Sequence, residues 1–222
     1  MQELEWALLD ELTRAGREPQ GGRVLEVGCG SGYYLSRFLD YGAAHAAGID
    51  LMENRIDVAR KRDPRLELVA GNAAELPWPG GSFHLVTQFT CLSSVFDAGV
   101  RKAIAEEMWR VLAPGGAVVS YDIRPAPVPV RALTRLASLR AGTHQPAGTP
   151  TQPVAAEELS RWFPAETIRF RSLGLYPELG RLLAPRMPLL ARLASRLPGL
   201  HVHLLAVATK GRSAEGDVGR SR

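Results

Sequence analysis

The chain has 222 residues, 45% of them hydrophobic, a formal net charge of +4 and two cysteines. That is enough apolar material for one sizeable core, too few cysteines for a disulfide framework, and too weak a basic excess for a nucleic-acid surface. No apolar stretch is long enough to span a bilayer, and no cationic, apolar leader opens the chain, so a cytoplasmic location is expected.

Residues 2–14 set Leu4, Leu8, Leu9 and Leu12 at helical spacing opposite charged positions, which predicts an amphipathic helix over a sheet or over a ligand mouth. Beyond residue 23, apolar runs of strand length alternate with helical patterns. Strands are predicted at 23–27, 46–50, 66–70, 84–89 and 117–123, helices at 32–41, 54–62 and 100–112, and a short turn at 73–76. This βαβα rhythm predicts an α/β fold with a doubly wound, mostly parallel sheet.

The second half is less regular. Prolines crowd 124–129, a helix is expected at 130–139, a Gly/Thr/Pro loop at 141–153, a helix at 155–162, and strands at 167–176 and 200–209. That last pair would bring the sheet to seven strands, antiparallel at its edge. His201 and His203 alternate along the final strand and read as an edge-strand surface pair. Between the two strands, Pro185 and Pro188 break 179–197 into two short helices, because a proline inside a helix removes a donor and clashes with the preceding turn. The leucines there alternate with Arg181, Arg186, Arg192 and Arg196. We take the segment as a helical cover on the sheet, with a membrane-surface segment as the alternative. One domain is expected over 1–210, its cover drawn from 124–162 and 179–198, followed by a disordered tail at 211–222 that is poor in apolar residues.

The chemistry is concentrated in Val24-Leu25-Glu26-Val27-Gly28-Cys29-Gly30-Ser31-Gly32 and in Gly48-Ile49-Asp50. A buried strand running into closely spaced glycines lets bare backbone approach a ligand. Asp50 closes a second apolar run, where a carboxylate can accept hydrogen bonds from both hydroxyls of a ribose. Tyr33 stands where a dinucleotide fingerprint needs its third glycine, and no lysine follows the loop, which disfavours nicotinamide, flavin and nucleoside triphosphate ligands.

An acidic residue two positions before GxGxG resembles the first motif of the class I S-adenosylmethionine-dependent methyltransferases. Later landmarks of that family follow in order: Asp50, then Leu66-Glu67-Leu68-Val69-Ala70-Gly71-Asn72-Ala73, the lead-in Pro77-Trp78-Pro79-Gly80-Gly81-Ser82-Phe83-His84-Leu85-Val86, and the turn Val111-Leu112-Ala113-Pro114-Gly115-Gly116. The resemblance is specific from about residue 23 to 123. It implies a Rossmann-like seven-stranded sheet, S-adenosylmethionine as cofactor with S-adenosylhomocysteine as product, and a cofactor-contact set of Glu26, Gly28, Cys29, Gly30, Tyr34, Asp50, Leu51, Asn72, Ala73 and Gln88. Of Tyr33 and Tyr34, one is expected along the cofactor and the other packed inward. Asn72 replaces the commoner aspartate, which keeps an acceptor and adds donors. His84 replaces another aspartate and, lying early in its strand, is read as structural.

The resemblance implies methyl transfer to a small organic acceptor, with O-methylation of a secondary metabolite or sugar the expected chemistry. Thr87-Gln88-Phe89-Thr90-Cys91 lacks the Asn/Asp-Pro-Pro-aromatic signature of DNA amine methylation, so no nucleic-acid partner is expected. Two alternatives stand: a non-catalytic cofactor-binding partner or sensor, and a methyltransferase for a lipid-linked glycan or quinone at a membrane surface. Candidate bases are Asp122, which also reads as a loop-anchoring carboxylate, and His144, which also reads as an exposed loop residue. Neither cysteine has metal-ligand spacing, so no metal is expected. The oligomeric state is left open.

Overall fold

The computed structural model describes residues 2–127, 130, 151–185 and 187–212. In chain order the elements are α1 (Gln2–Arg14), β1 (Arg23–Val27), α2 (Tyr33–Asp40), β2 (His45–Asp50), α3 (Glu53–Arg62), β3 (Glu67–Ala70), β4 (Phe83–Phe89), α4 (Ala98–Val111), β5 (Leu112–Ile123), α5 (Ala156–Trp162), β6 (Thr167–Leu175), α6 (Pro177–Leu183), α7 (Pro188–Ala194) and β7 (His201–Thr209). Single 3₁₀ turns at Leu92–Ser94 and Pro198–Leu200 follow β4 and precede β7.

The seven strands form one sheet in the order β3-β2-β1-β4-β5-β7-β6. Strands β1 to β5 pair in parallel, while β7 runs antiparallel to both β5 and β6. The C-terminal ends of the parallel strands therefore share one end of the sheet, where ligands of open α/β sheets bind. Ile123 near the end of β5 pairs with His203, which also pairs with Leu173 of β6. The β6–β7 connection, carrying α6 and α7, thus emerges at that same ligand-binding end.

Side chains alternate across the sheet and feed two cores. On one face Leu25, Val27, Val86 and Val118 pack with Ile104 and Met108 of α4 and with Leu159 and Phe163. On the other, Leu85, Phe89, Val119 and Leu205 pack with Leu4, Leu8 and Leu12 of α1 and with Phe38 of α2. The leucine stripe predicted for 2–14 is thus the buried face of a covering helix. Ion pairs tie α1 across to β6: Arg169 to Glu11 at 3.0 Å, and Arg171 to Asp10 at 2.6 Å and to Glu11 at 3.7 Å.

Three expectations are corrected. The strand expected at 117–123 begins at Leu112, which already pairs with Phe83, so the Pro-Gly-Gly turn lies within β5. Gly116 is confined there, since a Cβ on it would lie 2.7 Å from the His84 carbonyl oxygen. The final strand is not the outermost one: β7 lies inside β6. His201 is consequently buried, its ring nitrogens meeting the carbonyl oxygens of Ser172 at 2.8 Å and Ser195 at 2.9 Å, and His203 stacks on Tyr121. All of the helix expected at 130–139 except Val130, together with His144 and most of the Gly/Thr/Pro loop, lies outside the described residues, as does most of the expected tail. Pro177 and Pro188 each open a helix, where a missing N–H costs nothing, so 179–197 is divided into two short helices as the prolines predict.

Candidate functional site

The site begins where β1 ends. Gly28, Gly30 and Gly32 adopt φ of +69°, +52° and +72°, left-handed values open to glycine at little cost. The N–H groups of Gly28 and Cys29 both donate to the carbonyl of Ile49, at 2.8 and 3.0 Å, which folds the loop over the tip of β2. Space is as restrictive as conformation. A Cβ on Gly28 would meet Cys91 Sγ at 2.7 Å, and one on Gly48 would meet Cys29 Sγ at 2.7 Å. Cys29 therefore offers the site its backbone, while its thiol packs inward and is pushed up in pKa by burial.

Asp50 holds this loop from behind. Its Oδ2 accepts from the Gly30 N–H at 2.8 Å and its Oδ1 from the Met52 N–H at 2.9 Å. An ionised carboxylate offers about four lone-pair sites, so each oxygen keeps one for a further donor, the arrangement that suits a vicinal diol. Beside it Leu51 is 75% exposed. Ala70 of β3 pairs with Asp50, and two residues on Asn72 Oδ1 accepts from the Ala74 N–H at 3.0 Å, which fixes the turn carrying Ala73. Leu51, Asn72 and Ala73 thus follow the tips of β2 and β3, and neither they nor Asp50 lines the cavity on the other side of the loop.

Glu26 lies on the other side of the loop. It is 3% exposed, its Oε2 is buried without a hydrogen-bond partner, and the residue lines a cavity of about 310 Å³. Burial pushes its pKa well above the ordinary 4.5; the Leu35 N–H opposes the shift and the Asp50 charge adds to it. A buried carboxyl without a cation is expensive to ionise, and a ligand ammonium would supply the missing partner. An orphaned acid for an amine and a half-used acid for a diol fit the two polar ends of S-adenosylmethionine.

Much of the remaining cavity wall is aromatic, with Leu4, Ser31, Arg55 and Thr90 completing it. Tyr34 stacks on Phe89 with ring centroids 4.0 Å apart, Phe89 lies 6.4 Å from Tyr121, and Tyr121 stacks on His203 at 4.8 Å. Tyr33 also lines the cavity, edge-on to Tyr34, with its hydroxyl donating to Glu5 at 3.0 Å. Neither tyrosine is thus packed away from the cavity. Burial pushes the Tyr34 phenol up to about 12 and raises that of Tyr121, while burial lowers the pKa of His203. Thr90 is the only non-glycine among the described residues with a left-handed φ, +58°, and it too lines the cavity. Such strain concentrates at ligand sites. Its N–H donates to the Tyr121 carbonyl at 2.7 Å, which pins the exit of β4 to β5.

Gln88 and Asp122 are turned away from this cavity. Gln88 is fully buried; its amide nitrogen donates to Ser120 Oγ and Asp122 Oδ2, and its Oε1 accepts from the Cys91 N–H at 2.9 Å. Its side chain is thus committed to these bonds, because strand alternation aims 88 at the face opposite Phe89. Asp122 is 1% exposed and accepts from the Ser93 N–H at 2.9 Å, with its pKa pushed up to about 6 by burial against those hydrogen bonds. It anchors the turn after β4, the second of the two roles its sequence suggests. His84 accepts the Arg23 N–H at 3.1 Å at the opposite end of the sheet, a structural contact. Sequence reasoning missed Leu4, Ser31, Arg55, Phe89, Thr90 and Tyr121; Ser31 lies inside the glycine motif, the ends of β4 and β5 pointed near Phe89, Thr90 and Tyr121, and nothing local pointed to Leu4 or Arg55. Among the described residues no three His, Cys, Asp or Glu side chains are grouped to hold a metal ion.

Comparison with known proteins agrees with this geometry. A family described as a methyltransferase domain matches residues 24–116. The demethylmenaquinone methyltransferase of Clavibacter sepedonicus is 36% identical over 121 residues, 53% of this chain and 48% of that protein. A probable S-adenosylmethionine-dependent methyltransferase of Mycolicibacterium smegmatis is 38% identical over 96 residues, 43% of this chain and 36% of that protein. The matches therefore span about half, or less, of those relatives' length. The solved structure of a SAM-dependent methyltransferase from Archaeoglobus fulgidus shares the fold, with a TM-score of 0.64 at 16% identity over 92% of this chain and 93% of that one. With its glycine loop between two buried carboxylates at the tips of β1 and β2, the chain carries over residues 24–116 a stretch that matches the methyltransferase-domain family, on a fold shared with solved S-adenosylmethionine-dependent methyltransferases.

Proposed function

We propose that the protein transfers a methyl group from S-adenosylmethionine to a small, largely apolar organic acceptor, with a phenol- or quinol-type ring favoured over a sugar. The observation that carries the cofactor assignment is the unpartnered Glu26 Oε2 in the wall of the cavity that the Asp50-held glycine loop closes. Glu26 would hold the amino group, Asp50 the ribose hydroxyls, and Leu51, Asn72 and Ala73 the adenine.

When bound, this cofactor supplies a methyl already activated on a sulfonium, whose departing thioether is neutral. No residue therefore has to protonate a leaving group. The chain's contribution is alignment, an effect worth up to about 7–11 kcal/mol, and the rigid aromatic wall of Tyr34, Phe89 and Tyr121 offers planar, apolar surfaces for it. Tyr34 and Tyr121 keep their protons at neutral pH, so they can donate hydrogen bonds but remove none. Glu26 is assigned to the amino group. An acceptor that is nucleophilic without a strong base suits such a wall: an electron-rich ring carbon or a readily ionised ring oxygen bonds to the methyl, the sulfur keeps the electron pair, and the acceptor's proton passes to solvent. The relative from Clavibacter is named for a demethylated menaquinone, which supports reading the acceptor in the same chemical class.

The test is transfer from methyl-labelled S-adenosylmethionine to two panels, soluble quinols and phenols on one side and sugars on the other, with the product identified by mass. Label in the ring compounds is the expected result. Label in sugars alone would overturn the acceptor, cofactor binding with no transfer to a cell extract would favour the non-catalytic reading, and absence of calorimetric binding would overturn the whole proposal.

A further inference from the structure

The connection between β6 and β7 exposes an unusual amount of apolar surface. Met187, Leu189, Leu190, Leu193 and Leu197 are 53%, 74%, 42%, 58% and 55% exposed, and no other stretch of that length among the described residues exposes five large apolar side chains. Leu189 and Leu193 lie one turn apart on the same face of α7, while Ala194 is buried at 6% exposure. The segment is anchored at its base. His201 reaches the Ser195 carbonyl at 2.9 Å, and the Arg124 guanidinium donates to the Pro198 carbonyl at 3.1 Å.

Charge narrows what can cover this face. Residues 179–200 hold Arg181, Arg186, Arg192 and Arg196 and no aspartate or glutamate. Arg192 and Arg196 are exposed beside the leucines. A second copy of the same face would set one acid-free basic patch against another, and like-charge juxtaposition across an isologous interface is costly. A leucine face rimmed by arginines is instead the pattern that settles into a headgroup layer, the apolar side chains entering the acyl boundary and the guanidinium groups staying at anionic phosphates.

Position gives the face a use. It projects from the ligand-binding end of the sheet, and His203 at the start of β7 stacks on Tyr121 of the cavity wall. We infer that α7 and the turn after it seat on an anionic phospholipid surface, turning the cavity end of the sheet toward the leaflet. Among the described residues no helix is long and apolar enough to cross a membrane, so the contact is peripheral. That a lipid-dissolved acceptor is drawn from the leaflet rests on the apolar-acceptor reading above; the docking itself does not.

Sedimentation of the full chain with phosphatidylglycerol-containing vesicles and with pure phosphatidylcholine vesicles tests it. The chain is expected to pellet with the anionic vesicles, to be released by high salt, and to stay largely in solution with the neutral ones. The L189E/L193E double variant should lower the partition about tenfold or more while calorimetric S-adenosylmethionine binding and thermal midpoint stay at wild-type values. Wild-type protein left in solution with anionic vesicles overturns the inference, as does a double variant that pellets equally well. A vesicle-free dimer that the double variant dissociates overturns it in favour of a second copy. Vesicle binding without methyl transfer would count against the acceptor reading alone, and transfer to a soluble quinol without vesicle binding against the docking alone.

Discussion

The two sides of the sheet's ligand-binding end are built by different means. At the tips of β1, β2 and β3 the site is built from backbone conformation and two carboxylates, with Gly28 and Gly30 hydrogen-bonded to Ile49 and Asp50 of β2 and Asp50 in turn holding the Gly30 and Met52 N–H groups. At the tips of β4, β5 and β7, the wall consists of side chains from separate parts of the chain: Leu4 from α1, Tyr34 from α2, Phe89 from β4 and Tyr121 from β5. On the proposed reading, the first side serves the cofactor and the second the acceptor. The first side cannot vary without unfolding its loop, and the second can be altered residue by residue.

The sharpest way to break that contrast is at Gly28. Gly28→Ala forces a side chain into a left-handed φ and within 2.8 Å of both Cys91 Cβ and Sγ, so we expect a stability loss of ~2–5 kcal/mol. Gly30→Ala carries strain without a neighbour within 4 Å, and its loss should be nearer ~1–2 kcal/mol. Thermal denaturation of the two variants ranks them. Adding Cys91→Ala to Gly28→Ala should restore part of the difference, and equal losses at the two glycines would show that crowding against the turn after β4 is not what confines the loop.

Asp50→Asn comes next, because it retains the shape and removes the charge. The backbone donors of Gly30 and Met52 and the proposed ribose hydroxyls would all lose an ionised acceptor, and S-adenosylmethionine affinity should fall by ~1.5–3 kcal/mol. Titration calorimetry measures it. On the opposite side, Asp122→Ala should behave the other way round. Removing an acceptor from the Ser93 N–H and the Gln88 amide should lower stability by about 1–3 kcal/mol, with cofactor affinity unchanged. Loss of turnover at wild-type stability would instead restore Asp122 as a base.

This division also decided what the sequence disclosed. Glu26, the glycines, Asp50 and the strands under them are local: a carboxylate two positions before GxGxG and another closing the next apolar run carry their geometry with them. Gln88 shows the limit of spacing: its side chain is committed to Ser120, Asp122 and the Cys91 N–H on the buried face, one residue away from Phe89 in the cavity wall. Leu4 lies far from the loop in sequence and reaches the cavity only through the packing of α1, so no spacing could announce it. His201 and His203 show the same dependence on long-range pairing, since the burial of the first and the half-burial of the second follow from β7 lying between β5 and β6. The proline pair in 179–197 was readable because a missing N–H acts locally.

The smallest effect separates the two sides by proton linkage. Burial raises the Glu26 pKa in the free protein, so the carboxyl carries its proton above the ordinary 4.5 and contributes stability that is fully present below that value and lost as pH rises through the folded value. A bound ammonium would favour the carboxylate, so cofactor binding should release a proton. Affinity is then expected to rise with pH, by at most about tenfold per unit, until Glu26 is ionised without help, and to level off above that point. Calorimetry in buffers of different ionisation enthalpy counts the proton directly. Glu26→Gln should bind more weakly at high pH and lose the slope, whereas mutation of Tyr121, on the acceptor side, should leave it intact. A slope that survives Glu26→Gln would place the titrating group elsewhere and remove the amine-binding role on which the contrast between the two sides depends.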